Sequence, residues 1–315
     1  MKKKILIIGG AGFIGSHLLK AIQKEKFSKL IIFDDFSRGK YENIEWCKKD
    51  PRIEVFNDGG NILNEEILNK ACKNTNIVFH LAAKWLLHCH EYPKLAFDVN
   101  IKGTHNVLEA CRINKIDKLI FSSSASVYGD AKKIPMDENH PLSQKNFYGA
   151  TKVACEAMIR SYYFRYGLNY VGLRYMNVYG ERQDSKGAYV SVIMKMLENI
   201  NKNKSPIIFG KGNEFYDFVN VKDCARANIL AMKSSIKSGF YNIGSGKRTT
   251  LIQLANLLMK LTNCKKKITF KKNSNMTIVK SRIGCIKKAK KDLNFISKIS
   301  LNDGLEQLIS WYNNS

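Results

Sequence analysis

Three consecutive serines end an apolar segment of the chain, and two Tyr–Lys pairs follow them. The serines are Ser122–Ser124 in the stretch FSSSASVYG. The first pair is Tyr128 with Lys132, and the second is Tyr148 with Lys152. Both pairs are spaced i to i+4, which brings two side chains to one face of a helix. A phenol near a positive charge can act as a general base, so these residue types could remove the proton of an alcohol.

The segments around the two tyrosines differ. Tyr128 lies in VYGDAKKIP, where Gly129 and Pro135 indicate a loop. Tyr148 opens the long helical pattern NFYGATKVACEAMIRSYYF, which places its phenol and the Lys152 ammonium on one face. A phenol has a pKa of about 10, and the charge of Lys152 would stabilise the phenolate. We therefore predict that Tyr148 is the general base and that Lys152 assists it.

Strand-length apolar segments alternate with longer amphipathic segments in the first half of the 315-residue chain. The apolar segments read KILIIG, KLIIFDD, RIEVF, NIVFHLA and KLIFSSS, and the amphipathic ones lie at residues 16–26, 93–114 and 148–167. This alternation predicts βαβ units in which a parallel sheet is covered by helices on both faces. We expect an α/β fold whose doubly wound Rossmann sheet is formed by residues 1–176, with 219–246 returning to it.

The second half has less regular spacing. The apolar segment NYVGLRYMNVYG predicts one further strand, and residues 206–209 predict another. Helical patterns cover residues 188–199, 221–234, 250–262 and 303–312. No linker or repeat separates the halves, so we expect residues 177–315 to form a smaller mixed α/β substrate domain over the carboxyl edge of the sheet.

A glycine-rich turn follows the first predicted strand. Gly9, Gly12 and Gly15 in GGAGFIG have the spacing GxxGxxG and lead directly into the helix-forming sequence SHLLKAI. Such glycines allow close approach of the backbone to a pyrophosphate, which the helix N-terminus attracts. Asp34, at the end of the next strand, is placed to accept hydrogen bonds from a ribose diol and would repel a phosphate there. The pattern predicts a dinucleotide site that prefers NAD, and Arg38 nearby leaves NADP open.

The cofactor and the tyrosine are expected to meet at the carboxyl edge of the sheet. Doubly wound folds bind ligands at that edge, where a serine that ends a strand can hydrogen-bond a reacting hydroxyl. The oxidised nicotinamide ring of NAD would add a second positive charge beside Tyr148.

Composition argues against several other classes of function. The net charge of +25 is spread along the chain and the lysine clusters are short, so we expect no nucleic-acid partner. Eight cysteines without a CxxC pair indicate a reducing cytoplasm. His88, Cys89 and His90 are adjacent and cannot readily surround one ion, so we expect no metal. No apolar run approaches the roughly 20 residues that span a bilayer, so we expect no membrane association.

Six motifs together resemble those of one family. GGAGFIG, HLAA, NIKGTHNVLEA, FSSSASVYG, YGATK and LRYMNVYG make the chain resemble the extended short-chain dehydrogenase/reductase family, and it is most similar to the NAD-dependent nucleotide-sugar epimerases. The resemblance implies that Ser124 is the catalytic hydroxyl beside Tyr148 and Lys152. Ser122 and Ser123 are then strand-end hydroxyls near the cofactor. The resemblance also leads us to expect a homodimer.

The resemblance further implies which residues bind NAD. They belong to the glycine-rich turn, the ends of the predicted strands and the catalytic helix: Gly9, Gly12, Phe13, Ile14, Gly15, Asp34, Asp35, Asn61, Ile62, Leu81, Ala82, Ala83, Asn100, Tyr148, Lys152 and Tyr175. The family usually has Asp-Ile at the adenine, where this chain has Asn61 and Ile62. An amide can still hydrogen-bond the adenine edge, so we keep both residues in the site.

The residues after Ser124 separate the reactions of the family. Related 4,6-dehydratases carry an Asp-Glu pair directly after the catalytic Thr, and related decarboxylases carry a Glu nearby. This chain has Ala125 and Ser126, which cannot protonate a leaving hydroxyl. The resemblance thus implies epimerisation of a nucleotide-diphospho-sugar at C4 through a transient 4-keto sugar, with a UDP-hexose or UDP-hexuronate as substrate. A dehydrogenase, 4,6-dehydratase or decarboxylase of the same family is the alternative.

The expected substrate residues are Ser124, Asn177, Tyr216 and Arg282, and they depart in part from the family pattern. Tyr216 stands where the family usually has an arginine that grips the diphosphate, so a bidentate clamp is lost there. Arg282 falls where 4-epimerases place a residue that gates hexose size. It could pair with a sugar carboxylate or with the diphosphate, or be a solvated surface arginine. Further cations that could replace the lost charge are Arg174, Lys211, Lys271 and Lys272.

Overall fold

The computed structural model describes residues 3–184, 191–272 and 281–314. Thirteen strands lie in this part of the chain. In chain order they are β1 (Lys3–Ile8), β2 (Phe27–Phe33), β3 (Ile53–Val55), β4 (Ile77–His80), β5 (Lys118–Ser124), β6 (Tyr170–Tyr175), β7 (Asn177–Tyr179), β8 (Ile207–Phe209), β9 (Phe215–Tyr216), β10 (Phe218–Asn220), β11 (Phe240–Ile243), β12 (Thr249–Thr250) and β13 (Thr269–Lys271).

Eleven α-helices lie in the same described ranges. They are α1 (Phe13–Ile22), α2 (Glu65–Cys72), α3 (Leu86–Glu91), α4 (Pro93–Ala96), α5 (Gly103–Ile113), α6 (Phe147–Tyr166), α7 (Val192–Asn201), α8 (Val221–Lys233), α9 (Leu251–Leu261), α10 (Lys287–Leu293) and α11 (Leu301–Asn313). A π-helical segment, Phe97–Lys102, joins α4 to α5, and 3-10 turns occupy Tyr41–Asn43, Glu45–Lys49 and Ala125–Val127.

Seven of the strands form one parallel sheet in the order β11-β6-β5-β4-β1-β2-β3. The chain runs outward from β1 through β2 to β3, and then outward in the other direction from β4 through β5 and β6. The direction therefore reverses between β1 and β4, where such folds form a ligand crevice at the carboxyl ends of the strands. The predicted doubly wound α/β fold is confirmed.

The first strand shows why the sheet has two covered faces. All of Ile5, Leu6, Ile7 and Ile8 are buried. Ile5 and Ile7 pack in the layer that contains α1 and α8, whereas Leu6 and Ile8 pack in the layer that contains α2, α5 and α6. Successive side chains of a strand point to opposite faces, so a continuous apolar run is what a strand buried on both faces requires.

The remaining elements form a smaller mixed α/β part with its own core. Three two-stranded pairs lie here among the described residues: β7 with β10, β9 with β12, and β8 with β13. Helices α7, α9 and α11 bury Met196, Leu254 and Leu308 in a third apolar cluster. Helix α8 and strand β11 interrupt this smaller part in the sequence and belong to the larger one. Helix α8 packs against α1, and β11 pairs with β6.

Several elements differ from the sequence-based expectation. The predicted strand NYVGLRYMNVYG is divided into β6 and β7, because the backbone changes partner there. Met176 N donates to Ile243 O and Asn177 N to Asp217 O, both at 2.9 Å. The single helix expected over 93–114 is α4, the π segment and α5. Helix α10 was not expected, and residues 188–190 of the predicted helix 188–199 lie outside the described residues.

Candidate active site

Two neighbouring elements carry the predicted catalytic side chains. Ser124 is the last residue of β5, and Tyr148 and Lys152 lie in the first two turns of α6. The Asn146 side chain caps α6 by accepting from Gly149 N at 2.7 Å, which fixes where the helix begins. Because α6 begins beside the carboxyl end of β5, the structure brings these three residues together.

The three side chains lie close together at the end of β5. The Ser124 hydroxyl is near enough to the Tyr148 phenol to oppose the rise of the phenol's pKa. The Lys152 ammonium is buried, donates from Nζ to Ser122 O at 2.8 Å, and lies 5.7 Å from the centroid of the Tyr148 ring. The site thus holds a phenol, a hydroxyl and a cation within one small volume, which suits proton transfer to and from an alcohol.

The pKa of the Tyr148 phenol is shifted in the direction opposite to our expectation. Burial raises the pKa of Tyr148 to about 12, and the hydrogen bond to Ser124 opposes this effect. Burial also lowers the pKa of Lys152. The expected lowering of the Tyr148 pKa is therefore not seen in the protein alone, because desolvation of the phenolate is the dominant effect. Additional positive charge at the site is needed before Tyr148 can act as a base near neutral pH.

The other Tyr–Lys pair is not assembled into a site. Tyr128 is fully buried, and its hydroxyl donates to Asn242 Oδ1 at 2.7 Å and accepts from Arg174 Nη1 at 2.8 Å. Lys132 is exposed. Since the Tyr128 hydroxyl is engaged on both sides, this geometry favours Tyr148 as the reactive phenol.

The two serines that precede Ser124 also have internal partners. The Ser122 hydroxyl lies 3.3 Å from Tyr175 Oη, and the Ser123 hydroxyl donates to Glu156 Oε1 at 2.6 Å. Ser124 is the one of the three that lies beside Tyr148, and its Oγ accepts from Ser126 N at 3.1 Å. The three adjacent serines therefore face different surroundings.

The glycine-rich turn has the shape that a dinucleotide pyrophosphate requires. Gly9 has a φ of +83°, and a Cβ there would lie 2.7 Å from Ala82 N. A Cβ on Gly15 would lie 2.1 Å from Gly9 O, so helix and turn approach too closely for any side chain. At Gly12 a Cβ would meet only Gly9 O, at 3.5 Å, which leaves that side of the turn open.

The start of α1 is suited to an anion. Its N-cap residue is Gly12, no described side chain caps the first turn, and no acidic residue lies in that turn. The first backbone N–H groups, including those of Phe13 and Ile14, are therefore directed to the open side of the turn with the favourable end of the helix dipole. The residues present fit a pyrophosphate group at this position.

Asp34 lies beside the same turn. Its Oδ2 accepts from Ala11 N at 2.8 Å and its Oδ1 from Phe36 N at 2.9 Å, and burial raises its pKa. Each oxygen keeps a second lone pair that could accept from a ribose hydroxyl. Asp35, the next residue, accepts from Ser37 instead.

Arg38, which left NADP open, is already engaged. Its guanidinium pairs with Asp184 and lies over the Trp85 ring at 4.4 Å from the centroid. A guanidinium in these contacts would have to break an ion pair to bind a ribose phosphate. The arrangement therefore favours NAD over NADP.

The other expected cofactor residues lie around the same crevice. Leu81, Ala82 and Ala83 follow β4, and the first two donate their N–H groups to Ile8 O. Ile62 is buried against Gly103, whereas Asn61 is exposed and accepts from Leu63 N at 2.9 Å.

Two of the expected cofactor side chains are occupied by internal hydrogen bonds. Asn100 donates to Lys84 O at 2.9 Å and to Thr151 Oγ1 at 3.1 Å, and it accepts from Lys84 N at 2.7 Å. Tyr175 Oη accepts from Asn228 Nδ2 at 2.8 Å. The polar groups of both side chains are thus already engaged within the protein.

Tyr216 and Arg282 lie side by side in the smaller part of the structure. A β-bridge joins them, with Arg282 N donating to Phe215 O and Asp217 N donating to Arg282 O, both at 3.0 Å. Arg282 Nε is buried and has no hydrogen-bond partner among the described residues. Burial lowers the Arg282 pKa, and the nearby Tyr216 and Asp130 oppose this. A solvated surface arginine does not fit this environment.

The alternative cations are less suitable. Arg174 is buried in a bidentate pair with Glu156, at 2.9 Å and 2.6 Å, and is thus not free to bind a diphosphate. Lys211, Lys271 and Lys272 are exposed. Asn177 lies at the start of β7 and pairs with Phe218 of β10, two residues after Tyr216. Arg282 is therefore the best-placed of the candidates within the described ranges.

Sequence reasoning missed the partners that hold this site. Glu156 lies one helical turn after Lys152, a spacing visible in the sequence, but nothing local shows that its partner is Arg174. In the described residues no group of three or more His, Cys, Asp or Glu side chains could hold a metal ion. None of the described helices combines the length and apolar character needed to cross a membrane.

Comparison with known proteins gives the family. Residues 5–244 match the model of the NAD dependent epimerase/dehydratase family, and the chain belongs to this family. It is 36% identical to a putative UDP-glucose 4-epimerase from Methanocaldococcus jannaschii over 99% of both chains. The predicted membership of the extended short-chain dehydrogenase/reductases is thereby confirmed.

Solved structures agree in fold over the full length. One is a UDP-N-acetylglucosamine 4-epimerase from Methanobrevibacter ruminantium in complex with UDP-N-acetylmuramic acid, with a TM-score of 0.93, 31% identity and coverage of 100% of this chain and 99% of that one. Another is a UDP-glucuronic acid 4-epimerase from Bacillus cereus with UDP-glucuronic acid and NAD, with a TM-score of 0.90, 28% identity and 99% coverage of both.

Proposed function

We propose that this protein epimerises a nucleotide-diphospho-sugar at C4 through a transient 4-keto sugar, with a UDP-hexose or UDP-hexuronate as substrate and NAD as cofactor. The observation that carries the proposal is the placement of Ser124 at the end of β5 and of Tyr148 at the start of α6, beside the buried Lys152. Ala125 and Ser126, which follow Ser124, are buried in a 3-10 turn and bring no carboxylate to the site.

Three residues of the chain carry out the proton transfer: Ser124, Tyr148 and Lys152. Ser124 hydrogen-bonds the 4-hydroxyl of the sugar, and Tyr148 removes its proton and later returns it. Lys152, held by the Ser122 carbonyl, keeps its positive charge near the phenol. The glycine-rich turn and Asp34 would hold NAD, which would supply reversible hydride transfer at C4 and, in its oxidised form, a positive charge beside the phenol.

The cofactor assignment gives a testable result. We expect NAD(H) to copurify with the protein, because a cycle that returns its own hydride does not require the cofactor to leave. Denaturing the purified protein and separating the released nucleotides measures this. Release of NADP alone, or failure to bind either dinucleotide in calorimetry, would contradict the assignment.

The alternative reactions of the family remain distinguishable by product. A nucleotide-sugar dehydrogenase accumulates NADH, a 4,6-dehydratase accumulates a deoxy-keto sugar, and a decarboxylase releases CO2 from a hexuronate. The purified protein is incubated with a panel of UDP-hexoses and UDP-hexuronates, and NMR resolves the products. A C4 epimer with no net NADH supports the proposal, and any of the other products replaces it.

We also propose that the protein is a cytoplasmic homodimer. All eight cysteines are free and six of them are buried, which suits a reducing compartment. Apolar side chains of Leu95, Phe97, Phe164 and Tyr166 are exposed on α6 and on the segment that packs against it. An exposed apolar face of this kind favours a second copy of the chain. Light scattering coupled to size exclusion measures the mass, and a monomer at micromolar concentration would contradict the dimer.

A further inference from the structure

A buried ion pair lies directly next to the catalytic strand end. Glu156 on α6 is 2% exposed and Arg174 on β6 is 3% exposed. Arg174 donates from Nε to Glu156 Oε1 at 2.9 Å and from Nη2 to Oε2 at 2.6 Å. Burying two charges costs desolvation energy that their attraction only partly offsets, so such a pair is weak evidence of added stability. The pair is better explained by its hydrogen bonds to the residues that flank Ser124.

The pair holds the chain just before the catalytic serine. Ser123 donates from its hydroxyl to Glu156 Oε1 at 2.6 Å, and Lys152 donates to Ser122 O at 2.8 Å. Lys152 and Glu156 lie one turn apart on α6, so two successive residues of β5 are each tied to this helix. The same helix carries the catalytic phenol. The separation between the serine hydroxyl and the phenol therefore depends on these ties.

The pair also holds the chain just after the catalytic serine. Arg174 donates from Nη1 to Tyr128 Oη at 2.8 Å, and Tyr128 donates to Asn242 Oδ1 at 2.7 Å. Tyr128 directly follows the 3-10 turn Ala125–Val127 that leaves β5. Asn242 Nδ2 in turn donates to Met136 O at 2.9 Å. One guanidinium–carboxylate pair thus fixes the backbone on both sides of the serine.

We propose that Glu156 and Arg174 are positioning residues that set the Ser124 hydroxyl against the Tyr148 phenol. Neither side chain needs to touch substrate or cofactor, since each acts through residues that flank Ser124. The inference rests on the proposed roles of Ser124 and Tyr148. It concerns the first hydride transfer, which epimerase, dehydrogenase, dehydratase and decarboxylase share.

The first test is Glu156→Gln. The amide keeps the shape and one acceptor oxygen but leaves the Arg174 guanidinium without a counter-charge. We expect the single-turnover rate of NADH formation with a nucleotide sugar to fall by about tenfold or more, with the Kd of the sugar changed by less than about twofold. Hydrogen exchange of backbone amides at residues 124–128, measured by mass spectrometry, should become faster.

A double-mutant cycle separates positioning from general structural damage. In a Ser124→Ala background, Glu156→Gln should lower the rate by less than about twofold, because the group that it positions is gone. Ser123→Ala, which leaves the ion pair intact, should lower the rate by about threefold, and this effect should also vanish in that background.

A matched control is available on the neighbouring helix α5. Glu109 accepts from Arg112 Nη2 at 2.8 Å and from Tyr162 Oη at 2.6 Å, so it ties α6 to α5 far from the end of β5. Glu109→Gln should leave the rate of NADH formation and the exchange at residues 124–128 unchanged.

Three results would overturn the inference: a Glu156→Gln rate within about twofold of wild type, a loss that persists fully without the Ser124 hydroxyl, or unchanged exchange at residues 124–128. If Glu156→Gln does not fold, Ser123→Ala decides by the same readouts. If the wild-type protein neither forms NADH with any nucleotide sugar nor epimerises one, the proposed function fails. Hydrogen exchange then still decides the positioning role, because it requires no substrate.

Discussion

Replacing Tyr148 with phenylalanine should lower kcat by about 100-fold or more while NAD binding stays unchanged, as expected when a general base is lost. The substitution removes only the hydroxyl and keeps the ring near Lys152. Steady-state kinetics on the substrate found by the NMR panel measure kcat, and calorimetry measures the dissociation constant of NAD.

Tyr128→Phe is the matched control, because it removes the same atom from the other Tyr–Lys pair. Its hydroxyl accepts from Arg174 and donates to Asn242, so its loss leaves the buried Asn242 Oδ1 without a described donor and removes one of the two acceptors of Arg174 Nη1. We expect this variant to lose about 1–3 kcal/mol of unfolding free energy. Its kcat should fall much less than that of Tyr148→Phe. If Tyr128→Phe lowers kcat by about 100-fold and Tyr148→Phe lowers it much less, the assignment of the base is wrong.

The main sheet could be predicted because its signals are local. A strand that is buried on both faces must be continuously apolar, as Ile5–Ile8 is, and a turn as tight as that at Gly9 and Gly15 admits no side chain. The smaller part gives no such signal. Strands of two or three residues, such as β9 and β12, are too short for a periodic pattern and form only because the rest of the chain brings them together.

The same distinction applies to the site. Tyr148 and Lys152 share a helix face by spacing alone, and Ser124 ends a recognisable strand. The partners that decide their environment are distant in sequence: Arg38 with Asp184, Glu156 with Arg174, and Tyr216 with Arg282. No local pattern reveals such pairs. Burial is likewise a property of the assembled fold, which is why the direction of the Tyr148 pKa shift could not be predicted from Lys152 alone.

Arg282→Ala should raise KM for the true substrate by about tenfold or more with little change in kcat. Losing a charge-assisted contact to an anionic group costs on the order of 1.5–3 kcal/mol. Arg248→Ala is the matched control. Arg248 lies over Phe215, 4.1 Å from the ring centroid, next to the same β-bridge, but it is exposed.

The affinities of the wild-type and Arg282→Ala proteins for three ligands show which anion Arg282 binds. If it pairs with the diphosphate, Arg282→Ala weakens binding of UDP, a UDP-hexose and a UDP-hexuronate alike. If it pairs with a sugar carboxylate, only the UDP-hexuronate loses affinity. Adding Tyr216→Arg to the Arg282→Ala variant returns a guanidinium to the neighbouring residue of the bridge and should recover part of the loss. An Arg282→Ala protein with unchanged KM and unchanged affinity for all three ligands would remove Arg282 from the site and leave the anion of the substrate to another group.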